Sequence, residues 1–217
     1  MLKINQIRCE VGETFSIHHI AKKLRCSIHD IHSFEIDRES IDARGDDLHY
    51  SYSVYASIKN EDKYLKNRDV KKESKEVYIL PTTTKTPSQR PIIVGFGPSG
   101  MYAGLILAEA GLKPIIIERG QAVEQRTKDI NAFFTKGKLL ESSNVQFGEG
   151  GAGTFSDGKL TTRMKNIRVS KVYEEFVEAG ANPAILYQQR PHLGTDVLQT
   201  IVKKIREKII RLGGEVH

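Results

Sequence analysis

Gly95, Gly97 and Gly100 stand in the stretch VGFGPSG (94–100), which follows directly on the apolar run PIIV (91–94). Residues of this type at this spacing offer an anion bare backbone. Gly95 permits a tight turn off a strand, Gly97 removes the Cβ that would collide with a diphosphate, and Gly100 lets the next helix lie close on the strand. Pro98 falls near the first helical position, where its missing N–H costs nothing, and Ser99 follows it. A helix starting here aims its free N–H groups and its positive dipole end at the same point. The GxGxxG pattern alone is weak, so the flanks decide. Gly104 keeps a helix over 98–110 close to the sheet, Gly111 suits its C-terminal stop, and LKPIII (112–117) predicts a strand finishing in Glu118. That carboxylate lies 23 residues after Gly95, where a dinucleotide fold places an acid on the adenosine ribose. It favours a free 2′-hydroxyl over a 2′-phosphate, and Arg119 beside it weakens that preference. The competing reading is a helix–strand connection whose glycines serve packing alone. The turn by itself does not separate NAD from FAD.

A second cluster separates them. NVQFGEGGAGTFSDGKL (144–160) carries Gly148, Gly150, Gly151, Gly153 and Gly158. Such a loop presents consecutive backbone N–H groups to an anion. An NAD-binding half has no need of a second cradle, whereas the ribityl chain and ring of a flavin dinucleotide extend well beyond the first turn. The alternative is a flexible loop, against which Val145, Phe147, Phe155 and Leu160 supply apolar anchors.

The segment RPIIVGFGPSGMYAGLILAEAGLKPIIIERG, the following SSNVQFGEGGAGTFSDGKLTTR and the later PHLGTDVL together resemble a bacterial family of FAD-dependent dehydrogenases, described mostly as NAD(P)/FAD-dependent oxidoreductases. The resemblance covers nearly everything from residue 90 onward and reaches weakly into the first part through SIDAR (40–44). It implies FAD as cofactor, with NAD(P)H as a candidate electron donor. It implies that Gly95, Gly97, Pro98, Ser99 and Gly100 line the pyrophosphate, that Glu118 binds the adenosine ribose and that Arg119 lies near the adenine. Arg126 would reach the pyrophosphate from the next helix, a surface arginine being the alternative. Gly150, Gly151, Ala152, Gly153 and Thr154 would run along the ribityl and flavin portion, with Thr154, Ser156 and Lys159 as polar contacts. No side chain is assigned as catalytic acid or base. Members of this type continue with an adenine-contacting strand, a substrate domain and a closing Gly-Asp motif. The expectation is therefore the N-terminal portion of a longer enzyme, inactive alone, with its small-molecule substrate held by a missing C-terminal domain.

The elements that must position these residues follow from pattern. The polar, proline-rich PTTTKTPSQRP (81–91) reads as a linker. Before it, LKINQIR (2–8) predicts a strand, SIHHIAKKL (16–24) a helix with Ile17, Ile20, Ala21 and Leu24 on one face, and FEIDRESIDA (34–43) a second strand. LHYSYSVYASI (48–58) alternates, so Leu48, Tyr50, Tyr52, Val54, Ala56 and Ile58 should point one way. A polar helix near 60–70 and a strand at 76–80 complete β-α-β-β-α-β, the ferredoxin-like order. The expected class is α/β: a ferredoxin-like α+β domain over 1–80, the linker over 81–91, and a Rossmann-like FAD-binding domain over 92–217, incomplete at its C-terminus. A helix over 195–212, striped by Val197, Leu198, Ile201, Ile205, Ile209 and Leu212, closes the second part.

Tyr50 and Tyr52 would be base-stacking rings in an RNA-recognition motif. Residues 1–80, however, hold 14 basic and 14 acidic residues and lack the basic, Gly-aromatic signature of that strand. The whole excess of six positive charges falls in 81–217, which suits an anionic ligand or simply solvated helix faces. His29 and His32 are spaced to share a helix face with His18 and His19 nearby, but a zinc site fails on ligand count, so no metal is expected. Cys9 and Cys26 lack a redox or metal partner in sequence, the first thirty residues contain no apolar run long enough for a signal peptide, and nothing elsewhere approaches a membrane span. A reduced cytoplasmic protein is the reading.

Overall fold

The computed structural model describes residues 1–45, 47–83, 87–162, 164 and 166–217. The fold is mixed α/β, with one antiparallel and one parallel sheet. The chain divides into two compact units, residues 1–77 with 184–190, and residues 78–183 with 191–217. Of the linker expected at 81–91, residues 84–86 lie outside the described residues, and its remainder has no helix or strand. No helix among the described residues is long and apolar enough to cross a membrane.

In the first unit, β1 (Leu2–Glu10), α1 (Ile17–Leu24), β2 (Ile31–Asp42), β3 (His49–Ile58) and β4 (Val70–Lys72) form an antiparallel sheet of order β2-β3-β1-β4, with α1 packed on it. The core runs through Leu2, Ile4, Ile7, Cys9, Ile20, Leu24, Tyr52, Val54, Ala56 and Ile58. A regular strand could not bury both Ile4 and Ile7, because successive side chains alternate sides. The register slips between those residues, and Gln6 adopts φ 55°. This bulge changes the parity of β1, so that Ile7 and Cys9 enter the same core as Leu2 and Ile4. Ser16 starts α1 in a capping box with His19, whose ring accepts from the Ser16 N–H. On β3, Tyr52, Val54, Ala56 and Ile58 enter this core as the alternation predicts, but Ser53 and Tyr55 on the opposite side are buried as well; Tyr50 is half-buried, and Leu48 lies outside the strand, exposed.

Three expectations are corrected here. The helix near 60–70 is a single 3-10 turn, Glu61–Tyr64, entered through Asn60 in the left-handed region. The fourth strand is Val70–Lys72, where Leu2–Ile4 offers pairing, while Val77 and Ile79 lie unpaired and exposed. His29 sits in a 3-10 turn (Ile28–Asp30) and His32 on β2, so they share no helix face.

In the second unit, β5 (Ile92–Val94), β6 (Ile115–Ile117) and β7 (Glu215–Val216) run parallel in the order β5-β6-β7. Helix α2 (Pro98–Glu109) connects the first two strands, and α3 (Val123–Lys136), α4 (Ile167–Glu178) and α5 (Thr195–Arg211) follow. The strand expected over 112–117 begins only at Ile115, since Lys113 takes φ 47° ahead of Pro114. The apolar stripe of α5 is buried at Ile201, Val202, Ile205 and Ile209, while Leu212 turns out to solvent. Ile209 reaches α2, where a Cβ on Gly104 would stand 2.4 Å from Ile116 Cδ1 and 3.4 Å from Ile209 Cδ1. Gly104 thus sets how closely α2 lies on β6 and α5.

Candidate functional site: the meeting of two glycine loops

The chain leaves β5 through Gly95, at φ 93°, whose N–H donates to Ile117 O at 2.7 Å. The next N–H, of Phe96, donates to Glu118 Oε2 at 2.6 Å, and Glu118 Oε1 accepts from Gly120 N at 2.8 Å. Glu118 therefore braces the turn against the end of β6, and each of its oxygens retains acceptor capacity. Gly97 caps α2, with Pro98, Ser99 and Gly100 in the first turn, where helical geometry leaves N–H groups without intrahelical partners. The three glycines have unequal surroundings. A Cβ on Gly100 would stand 1.9 Å from Gly95 O, whereas one on Gly97 would meet no atom within 4 Å. Gly100 is required by packing. Gly97 faces open space.

The second cluster comes to the same mouth, but not as a run of open donors: the N–H groups of Glu149, Gly150 and Gly151 donate to Gln121 O, Phe96 O and Gly148 O. Gly150 N–H donates to Phe96 O at 2.7 Å, and a Cβ on Gly151 would lie 3.1 Å from Pro98 Cδ and 3.5 Å from Gly97 Cα. Ala152–Phe155 then forms a 3-10 turn, with Ala152 and Gly153 exposed and the Gly153 Cα facing open space. Thr154 departs from expectation. It is buried beneath Gly150, whose Cβ would strike its Oγ1 at 2.2 Å, and that oxygen has no hydrogen-bond partner among the described residues. Ser156 Oγ donates to Gly153 O at 2.8 Å, and Lys159 pairs with Asp157 at 2.9 Å on the surface.

Arg126 is neither a surface arginine nor an open arm. It is fully buried on α3, and its guanidinium donates to Asn144 O (2.8 Å), Val145 O (2.9 Å), Glu149 O (2.7 Å) and Gly151 O (2.8 Å). Burial pushes its pKa down, countered by Glu118 and Glu149. Its donors hold the 144–151 loop in the shape that brings Gly150 to Phe96. Sequence gave no sign of this, because a single arginine on a polar helix reads as solvated. Glu149 was missed as well. It is buried, with Oε2 accepting from Val123 N at 2.6 Å at the start of α3 and from Arg206 Nη1 at 2.6 Å. Burial raises its pKa.

Beside this mouth, Arg119 lies 5.2 Å over the Phe147 ring and lines a cavity of about 740 Å³ with Phe133, Leu139, Asn144 and Val145. The cavity adjoins Glu118 through the chain; Phe133, Leu139, Val145 and Phe147 give it apolar walls, and Arg119 and Glu141 bring one charge of each sign to its lining.

In the first unit, the Tyr52 ring is buried, stacks on Phe15 at 4.2 Å, and donates its hydroxyl to Glu39 Oε2 at 2.7 Å. That leaves it no open face for a base. Cys9, which has no metal partner by sequence spacing, has its Sγ within 4.8 Å of a Glu13 carboxylate oxygen and a His19 ring nitrogen.

Comparison with known proteins adds two findings. Residues 1–57 match the family model described as "Domain of unknown function (DUF8436)". The chain is 44% identical over 223 residues to an "Uncharacterized protein" of Clostridium beijerinckii, an alignment covering 100% of this chain. The chain spans 42% of that relative's length.

Proposed function

We propose that residues 92–217 form a Rossmann-like half-domain that binds FAD in an FAD-dependent oxidoreductase, with NAD(P)H as the candidate electron donor. The observation that carries this reading is the bond from Gly150 N–H to Phe96 O, which joins the two glycine loops at one mouth. The residues present fit a diphosphate there. Open space lies over Gly97, Gly151 sits against Pro98, and the first turn of α2 contributes N–H groups and a positive dipole end. Parallel β5, α2 and β6 with Glu118 at the end of β6 match what a dinucleotide fold requires of its first βαβ unit. In this reading Glu118 turns its spare acceptor capacity to the ribose, the cavity at Arg119 and Phe147 takes the adenine, and Gly150–Gly153 pass along the ribityl chain. Arg126 acts as a positioning residue. Bound flavin would supply hydride or electron transfer, while the protein orients it and excludes water. The β2-β3-β1-β4 order of the first unit supports a ferredoxin-like domain. Cys9 and Cys26 both carry free thiols, which supports a reducing, cytoplasmic setting. The substrate-binding portion belongs, in this reading, to sequence corresponding to the rest of the longer relative.

The test is direct. Purified chain incubated with FAD and desalted should retain flavin absorbance, and NADH or NADPH titrated in parallel should bind more weakly. Gly97→Val should lower FAD affinity roughly 10–100-fold, the equivalent of about 1–3 kcal/mol of overpacking. Tight nicotinamide binding with no flavin retention would make this an NAD(P) module and reverse the assignment.

A further inference from the structure

The geometry points to a transition-metal site, with zinc the best match, formed by Cys9, Glu13 and His19 in the first unit; it stands independently of the flavin reading. The three ligand atoms lie within 4.8 Å of one another, and His19 Nε2 is 3.3 Å from Glu13 Oε2. Zinc bonds of about 2.0–2.3 Å at tetrahedral angles place neighbouring ligand atoms roughly 3.3–3.6 Å apart. The nitrogen–oxygen edge is already at that length. Closing on the sulfur needs side-chain shifts on the order of 1 Å, and Glu13, on an exposed turn, has the freedom to make them.

Three separate elements converge to make this cluster. The bulge in β1 turns Cys9 inward, the turn after Glu10 carries Glu13, and the first turn of α1 carries His19. A thiolate, a carboxylate and an imidazole together suit a borderline-soft ion, and are a poor match for magnesium or calcium, which prefer all-oxygen sets. The outer partner of the imidazole is also in place. His19 Nδ1 accepts from Ser16 N–H at 3.2 Å, and Ser16 Oγ lies 3.3 Å from the same nitrogen. With a metal on Nε2 the ring proton sits on Nδ1, which can no longer accept from Ser16 N–H; that bond breaks and the ring N–H turns to Ser16 Oγ as its second partner. The charges balance. Cys9 releases its thiol proton to solvent, and the thiolate with the Glu13 carboxylate neutralises a divalent ion, leaving a fourth position for water. Cys9 Sγ also lies 3.7 Å from Glu13 O and 3.9 Å from Glu10 O, contacts a buried thiol makes without a metal, so thiolate ligation itself must be read by the experiment.

The untagged 217-residue chain, stripped with a chelator, should take up one equivalent of Co²⁺ with a near-ultraviolet thiolate-to-cobalt band. Zn²⁺ should displace the cobalt and abolish that band. Cys9→Ser should lose the band and Cys26→Ser keep it. Glu13→Gln, at an exposed position that leaves folding intact, should weaken zinc at least tenfold in a chelator competition, and His19→Gln should do the same. No band in the wild-type chain at saturating cobalt would overturn the site, as would a band that survives Cys9→Ser. Zinc affinity unchanged by both Glu13→Gln and His19→Gln would overturn it too.

Discussion

A methyl group at position 100 would stand 1.9 Å from the Gly95 carbonyl oxygen, while one at position 97 would meet nothing within 4 Å. One motif thus holds two glycines of different purpose, and alanine separates them. Gly100→Ala forces backbone against backbone and should cost about 2–3 kcal/mol of stability by chemical denaturation. Gly97 has φ −73°, ordinary for any residue, so Gly97→Ala should change stability by less than about 0.5 kcal/mol while weakening FAD retention. Equal stability losses for the two variants would show that position 97 is packed like position 100. Arg126 invites a parallel comparison. Its fork serves carbonyls at 144, 145, 149 and 151 from one buried position. Arg126→Lys keeps the charge but cannot span that set, so buried acceptors lose their donors. The variant should lose about 3 kcal/mol or more, with proteolytic nicking concentrated at 144–151.

At the scale of elements, ion pairs among partly or fully buried groups tie three helices of the second unit together. Lys171 and Glu175 on α4, Lys208 on α5 and Glu109 on α2 form pairs at 2.5–3.0 Å. Burial alone pushes the Glu109 carboxyl up, but bonds from Lys171 and Lys208 more than reverse it and hold it below its ordinary value of 4.5. A depressed carboxyl stabilises the fold above pH 4.5, and that contribution disappears as pH falls through the folded-state value. Wild-type protein should therefore lose urea resistance on acidification below pH 4.5. Glu109→Gln should be weaker by about 1–3 kcal/mol at pH 7, discounted from a fully buried pair for residual exposure, and should lose less on acidification. An equally steep acid loss in the variant would assign the effect to other carboxylates. The pairings of Glu109 with Lys171 and Lys208, and of Glu175 with Lys208, were not readable beforehand, since charges that meet across helices have no fixed spacing in sequence; Lys171 and Glu175 stand four apart on one helix, a spacing that sequence does show. The glycine spacing was legible because backbone collisions enforce it locally, and the α5 stripe because burial repeats at helical period. The polar stretch 60–70 misled for the converse reason: its pattern suited a helix, but Asn60 turned left-handed and Val70 found a strand to pair with. Cys9, Glu13 and His19 escaped notice because a bulge, a turn and a helix start lie between them, and only folding fixes that path.

The chain as a whole passes between its two units at 77/78, 183/184 and 190/191, so the segment 184–190, remote in sequence, completes the first unit. Within that unit Glu39 N–H donates to Tyr187 O at 2.8 Å and Glu39 bridges in parallel to Gln188, beside the edge strand β2. An edge strand exposes unpaired backbone groups, and the 184–190 segment supplies partners at one point along β2. Ile185, in the 3-10 turn Pro183–Leu186, is buried. A boundary drawn at the proline-rich stretch after residue 80 is therefore a boundary in sequence but leaves out part of the fold. The consequence is measurable. A specific protease site placed within 81–91 and cleaved in the folded protein should yield two fragments that still elute together, because 184–190 remains seated in the first unit while joined covalently to the second. Ile185→Ala should cost about 2–4 kcal/mol of stability by chemical denaturation, the cost of emptying a buried isoleucine site. Fragments of the nicked wild-type protein that separate at once would show that residues 1–77 hold together without the returning segment.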